Sequence, residues 1–113
     1  MSLSESRLHS LIDQTQAAIE DIFDDSDLDI DLENAGGVLT VRFENGTQII
    51  VSRQPALGQL WLAARSGGFH FDYDEAVAGW RCDSGGELLS VLLQRATQEQ
   101  GGESLDFSAL EGE

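Results

Sequence analysis

Apolar residues between Leu8 and Phe23 fall at Leu8, Leu11, Ile12, Ala18, Ile19, Ile22 and Phe23. That spacing predicts an amphipathic helix, with Ser4 or Ser6 as its N-cap and Asp13, Glu20, Asp21 and Asp24 on the other side. The period then changes. Asp27-Leu28-Asp29-Ile30-Asp31-Leu32-Glu33 alternates strictly, which predicts a half-buried strand with Leu28, Ile30 and Leu32 facing in. Asn34-Ala35-Gly36-Gly37 is a turn. Val38 to Glu44 and Thr47 to Arg53 are strands joined by Asn45-Gly46, a two-residue hairpin signal. Such a turn sets Phe43 opposite Gln48 and Val41 opposite Ile50, and puts apolar groups on both faces of the hairpin.

Pro55 ends the third strand. Gln59 to Ala64 is a strand centred on Trp61, and Ser66-Gly67-Gly68 turns into a strand from Phe69 to Tyr73 with its aromatic rings on one face. Trp80 to Asp83 is a short last strand. Glu87 to Gln100 has helical spacing through Leu88, Leu89, Leu92, Leu93 and Ala96, and Gly101-Gly102 stops it. The order helix, strands, helix predicts an α+β fold. It is a two-layer sandwich whose antiparallel sheet of five to six strands carries both helices on one face. One domain spans 1–113, with 1–5 and 103–113 as weakly ordered termini.

Charge changes the picture in one place. Eight of the fourteen residues from Glu20 to Glu33 are acidic: Glu20, Asp21, Asp24, Asp25, Asp27, Asp29, Asp31 and Glu33. No Arg lies between Arg7 and Arg42, the chain has no Lys, and its net charge is −15. Acids at a helix C-terminus also oppose the macrodipole. Two like charges 7 Å apart in water repel by about 0.6 kcal/mol, and more near a low-dielectric surface. The simplest use of such a run is a solvated face that aids solubility. The alternative is attraction of a metal ion or of a basic patch on another protein. Carboxylates suit hard cations, iron and other divalent ions included. Alternate strand residues stand about 7 Å apart, so these acids form an open row, not a cage. An EF-hand started at Asp25 fails, with Ile30 and Gly36 at its key positions. His9, one turn before Asp13, is either a surface histidine or an added nitrogen ligand.

Composition excludes several classes. A strongly acidic chain does not track nucleic acid or an anionic membrane surface, and no apolar run is long enough to span a bilayer. Met1 to Leu11 lacks the pattern of a secretory signal, and the lone Cys82 has no internal disulfide partner. A cytoplasmic setting is expected. No nucleophile–base set or tuned carboxylate dyad stands out, so no catalytic residue is assigned. His70 and Cys82 read as structural. Trp61 has two readings: core packing, or a contact surface beside Arg53 and Gln59.

The stretches Gly36-Gly37-Val38-Leu39-Thr40, Phe43-Glu44-Asn45-Gly46, Arg53-Gln54-Pro55, Gln59-Leu60-Trp61-Leu62-Ala63, Gly67-Gly68-Phe69-His70-Phe71-Asp72, Trp80-Arg81-Cys82-Asp83 and Gly86-Glu87 resemble, in this order, the bacterial frataxin family of the CyaY type. The resemblance runs from about Leu8 to about Ala96. It implies the frataxin sandwich and weak surface binding of ferrous and ferric iron, with Glu20, Asp21, Asp24, Asp25, Asp27, Asp29 and Asp31 as ligands. It implies a role in iron–sulfur cluster assembly as an iron-binding regulator or iron donor. The partners it implies are the cysteine desulfurase and the scaffold of the assembly machinery. The acidic ridge, Glu33 included, would meet a basic patch on the desulfurase, and the sheet around Trp61 would meet the assembly complex. A monomer is expected, with oligomers forming under iron. The rival readings are a ferroxidase that stores its product and a metal-independent acidic binding module.

Overall fold

A computed structural model describes residues 4–54 and 56–111. Helix α1 spans Glu5–Asp24, and Ser4 caps it by accepting a hydrogen bond from the Arg7 N–H. Six strands follow: β1 Ile30–Ala35, β2 Val38–Phe43, β3 Gln48–Gln54, β4 Gln59–Ala64, β5 Gly67–Asp74 and β6 Gly79–Cys82. Helix α2 runs Leu89–Gly101 and ends on Gly102, whose φ of 77° suits a glycine cap. Pro55, expected to end the third strand, lies outside the described residues.

The strands pair in chain order, β1-β2-β3-β4-β5-β6, each antiparallel to the next. The helix-facing rows hold Leu39, Val41, Phe43, Ile49, Val51, Leu60, Leu62, Phe71, Trp80 and Cys82. All are buried in one cluster with Leu11, Ile12, Ile19 and Phe23 of α1 and Leu89, Leu92, Leu93 and Ala96 of α2. This is the expected α+β sandwich.

Gln16 interrupts the apolar stripe of α1 and is nevertheless buried. Its Nε2 donates to the carbonyls of Gly37 and Val51 at 2.9 and 3.0 Å. A buried amide needs such partners, and here they clamp α1 to β3 and to the β1–β2 turn. Trp80 adds a second tie, its indole N–H donating to Thr15 Oγ1 at 2.9 Å.

The structure corrects the sequence-based boundaries in three places. First, the hairpin between β2 and β3 has a three-residue loop, Glu44-Asn45-Gly46. Phe43 N–H donates to Thr47 O at 2.8 Å and Gly46 N–H to Phe43 O at 3.0 Å, with Gly46 at φ +88°. This is a turn closed by a left-handed glycine, the usual three-residue solution. Val41 therefore faces Ile49, and Leu39 faces Val51. A shift of one residue flips faces, so the large apolar groups of the hairpin gather on the helix side. The outer face keeps Val38, Thr40 and Ile50. Asn45 holds the loop: its Oδ1 accepts from Thr47 N–H at 3.0 Å, and its Nδ2 donates to Gln100 O at 2.7 Å.

Second, β1 begins at Ile30 instead of Asp27, because its partner β2 ends at Phe43, opposite Ile30. Third, the segment set aside as a weakly ordered tail is packed as far as it is described. Phe107 is fully buried and Leu110 nearly so, with a 3-10 turn at Ser108–Leu110. Phe107 meets Phe23 at a ring separation of 5.4 Å. Too few apolar residues mark this segment for it to read as structure in the sequence. At the other end, Glu5 already belongs to α1.

Candidate functional site

The acidic residues fall on three consecutive pieces of chain. Glu20, Asp21 and Asp24 lie in the last turns of α1, which has no basic residue in its last turn; Asp25 is the C-cap. Asp27 and Asp29 lie on the connection to β1, and Asp31 and Glu33 on β1 itself. The alternation read from the sequence survives as burial: Asp27, Asp29, Asp31 and Glu33 are exposed, while Leu28, Ile30 and Leu32 are partly covered. Helix and strand acids are tied at one point, where Asn34 Nδ2 donates to Glu20 Oε1 at 3.0 Å. Glu33 is paired with Arg42 at 2.9 Å across the β1–β2 ladder.

β1 is an edge strand of the sheet. Charge on such an edge discourages pairing with another chain, a structural use for Asp31 and Glu33 that solubility alone does not supply. It does not extend to the helix acids, which share no edge.

One acid was missed. Glu44, in the β2–β3 loop, meets Asp29, and its pKa is raised. The chief cause is the hydrogen bond with the Asp29 side chain; charge repulsion from the same group and partial burial add to it. Glu44 follows Phe43, the partner of Ile30, so continuing the β1–β2 register sets it across from Asp29, a pairing hidden until that register is known. Asp29 and Glu44 border a cavity of about 330 Å³ with Leu28, Phe43, Asn45, Gln100 and Gly101. Among the described residues, no three His, Cys, Asp or Glu side chains converge to hold a metal ion. The donors are carboxylates throughout, the chemistry a hard cation prefers. Their spread gives any one ion few protein ligands and leaves most of its water shell in place. The residues thus fit open, exchangeable attachment and do not fit a closed metal centre.

The second surface is the outer face of the sheet. Trp61 lies on it, half-buried, while its neighbours Leu60 and Leu62 point into the core. Gln59 is with it: Gln59 Oε1 accepts from the indole N–H at 2.9 Å, and Gln59 Nε2 donates to Asp72 Oδ1 at 3.1 Å. Arg53 is not. It pairs in register with Leu60, so it points to the helix side. There it makes an ion pair with Asp13 and donates to Gln16 Oε1 at 3.3 Å. Ser52, not Arg53, stands beside Trp61 on β3. Strand parity alone separates Arg53 from Trp61 once this register is known.

His70 was assigned a structural role, yet it stacks on Trp61 from β5 with ring centroids 4.2 Å apart. The turn lies at Arg65-Ser66 and not at Ser66-Gly67-Gly68, so β5 begins at Gly67, Ala64 pairs with Gly67, and Trp61 therefore pairs with His70. His9 is partly covered on α1, and its Nε2 is buried without a hydrogen-bond partner. It is not brought into a ligand group. Cys82 is buried, its Sγ 3.4 Å from Ser84 Oγ. No helix among the described residues is long and apolar enough to cross a membrane.

Comparison with known proteins matches the chain over residues 1–103 to the family model of the frataxin-like domain. It is 67% identical over 110 residues to the iron-sulfur cluster assembly protein CyaY of Stutzerimonas stutzeri strain A1501, covering 97% of this chain and 100% of the relative. It is 66% identical over 110 residues, with the same coverage, to the protein of that name from Pseudomonas syringae pv. syringae strain B728a. Among solved structures, the frataxin from Psychromonas ingrahamii superposes with a TM-score of 0.84 at 35% identity, over 93% of this chain and 98% of that one. A trimeric frataxin from the yeast Saccharomyces cerevisiae shares the fold at a TM-score of 0.63 and 21% identity, over 91% of this chain and 84% of that one.

Proposed function

The chain belongs to the bacterial frataxin family, and from that premise we propose that it acts in iron–sulfur cluster assembly by binding, not by turning over a substrate. Its acidic ridge attracts two cationic species, iron as exchangeable cargo and a basic patch of the cysteine desulfurase. The observation that carries this reading is the placement of Glu20, Asp21, Asp24, Asp25, Asp27, Asp29 and Asp31 along one helix end, its connection and the adjoining edge strand, with no cation among the described residues, beyond Arg42 on Glu33, paired to any acid of the run. A ridge so open holds each iron ion through few oxygens, which favours loading and release over storage. A basic protein surface competes for the same carboxylates, so iron level and desulfurase contact are coupled through shared ligands. Trp61 and Gln59 offer the second contact, to the scaffold of the assembly complex, on a different face. The setting is the cytosol, where iron–sulfur assembly has both iron and reduced thiols to draw on.

The test is the triple reversal Asp25→Lys, Asp29→Lys and Asp31→Lys, checked by circular dichroism for an intact fold. Desulfurase affinity should fall at least tenfold, about 1.4 kcal/mol, at low salt, and the remaining binding should depend less on salt. In the unmodified protein, millimolar ferrous iron should raise Tm beyond matched ionic strength, since a ligand of the folded state stabilises it. The triple variant should lose that rise. Unchanged desulfurase binding in the variant would remove the electrostatic part of this reading, and a Tm unmoved by iron would remove the metal part.

A further inference from the structure

The outer sheet face holds a cluster that the acidic ridge does not use. The rings of Trp61 and His70 lie 18° from parallel with centroids 4.2 Å apart. The far end of the indole is fixed through Gln59 to Asp72. The imidazole Nδ1 lies 4.0 Å from Asp83 Oδ2. The Asp83 main chain is anchored beside His70 whatever the charge on the ring, because its backbone N–H donates to the His70 carbonyl at 2.9 Å.

On β5 itself, Asp72 shares the face of His70. On β6, Arg81 stands opposite Asp72, but its guanidinium is engaged by Asp74 Oδ2 and by the Gly86 carbonyl, each at 2.9 Å. β4 offers Trp61 and Gln59, and β3 offers Ser52, all uncharged. A proton on His70 thus enters a site with a carboxylate on one side, an aromatic face on the other and its nearest cation already committed.

We propose that His70 is a positioning residue for Trp61, and that protonation of its imidazole makes this surface responsive to pH. The neutral ring supports the indole by stacking alone. The imidazolium is drawn to Asp83 and to the electron-rich indole face together, and so pins Trp61 against the sheet. Histidine is the side chain whose charge ordinarily changes between about pH 5 and 8. This inference rests on the reading of Trp61 as a partner contact only where binding is concerned; the positioning role stands on the geometry.

The test follows the two indole N–H resonances of ¹⁵N-labelled protein by NMR from about pH 5 to 8, together with the His70 ring. The Trp61 signal should titrate with the same midpoint as His70. Trp80, buried and bonded to Thr15, should stay still. His70→Gln should flatten the Trp61 response. His70→Phe should flatten it too, while keeping the Trp61 signal near its high-pH position, because the stack survives without a charge. Affinity for the assembly complex should change about two- to fivefold across the same range in the parent and not in His70→Phe. A Trp61 signal that is flat in the parent, or that still titrates in His70→Gln, overturns the proposal. A Trp61 signal that follows His70 while Trp61→Ala leaves partner affinity unmoved supports the positioning role and overturns the contact reading.

Discussion

Gly37 and Gly46 take nearly the same backbone angle, φ +82° and +88°, in opposite surroundings. A Cβ on Gly46 would meet nothing, whereas one on Gly37 would stand 2.5 Å from Arg53 Cδ and 2.6 Å from its Cγ. Both positions penalise alanine by about 1–2 kcal/mol for the left-handed backbone. Gly37→Ala must in addition shift the Arg53 side chain, which holds Asp13 and Gln16 Oε1. Urea unfolding should show Gly37→Ala as the costlier substitution by about 1 kcal/mol or more; equal losses would mean that the Arg53 contacts contribute nothing. Arg53 is also where residue-level reading of the sequence went astray. Its proximity to Trp61 in the chain suggested a shared surface. Strand parity and the buried Gln16 decide otherwise, and neither is visible until β3 is registered against β4.

Among the elements, α1 and the alternating run after it were legible because their periods are long and unmixed. The β2–β3 hairpin was misread by one residue for a reason outside its own sequence. Asn45 is held by the carbonyl of Gln100, 55 positions away, and local turn statistics contain no trace of that partner. The β1–β2 register makes a prediction of its own, because it sets Glu44 against Asp29. The folded pKa of Glu44 lies above its unfolded value, so folding favours the protonated form. The ionised pair therefore opposes folding at neutral pH, and that opposition fades as pH falls through the raised value. Glu44→Gln should raise Tm at pH 7. The gain should shrink through the acid range and be absent once pH is below the unfolded pKa of the carboxyl. A Tm gain that persists unchanged in acid would show that Glu44 and Asp29 do not interact.

At the scale of the molecule, the sequence revealed the two-layer plan through its order of periods and concealed the closure of the helix layer. That closure depends on Phe107 and Leu110, two apolar residues in a stretch otherwise indistinguishable from an acidic tail. The strand order repeats the chain order without a single crossover, and this has a kinetic consequence. Every strand finds its partner across a short loop, so the sheet can zip up from local hairpins at little loop-closure cost. The contacts that join distant parts of the chain are those that seat the first and last segments, such as Thr15 with Trp80 and Phe23 with Phe107. These should form after the rate-limiting barrier. Phe107→Ala, expected to destabilise by about 3–5 kcal/mol, should accordingly leave the refolding rate within about twofold and speed unfolding about a hundredfold or more in stopped-flow chevrons. A slowed refolding arm would place the tail in the nucleus. Otherwise the packing of Phe107 on Phe23 acts as a brake on unfolding, and the lifetime of the folded protein is set where the segment after α2 closes over α1, one residue from Asp24 of the acidic ridge.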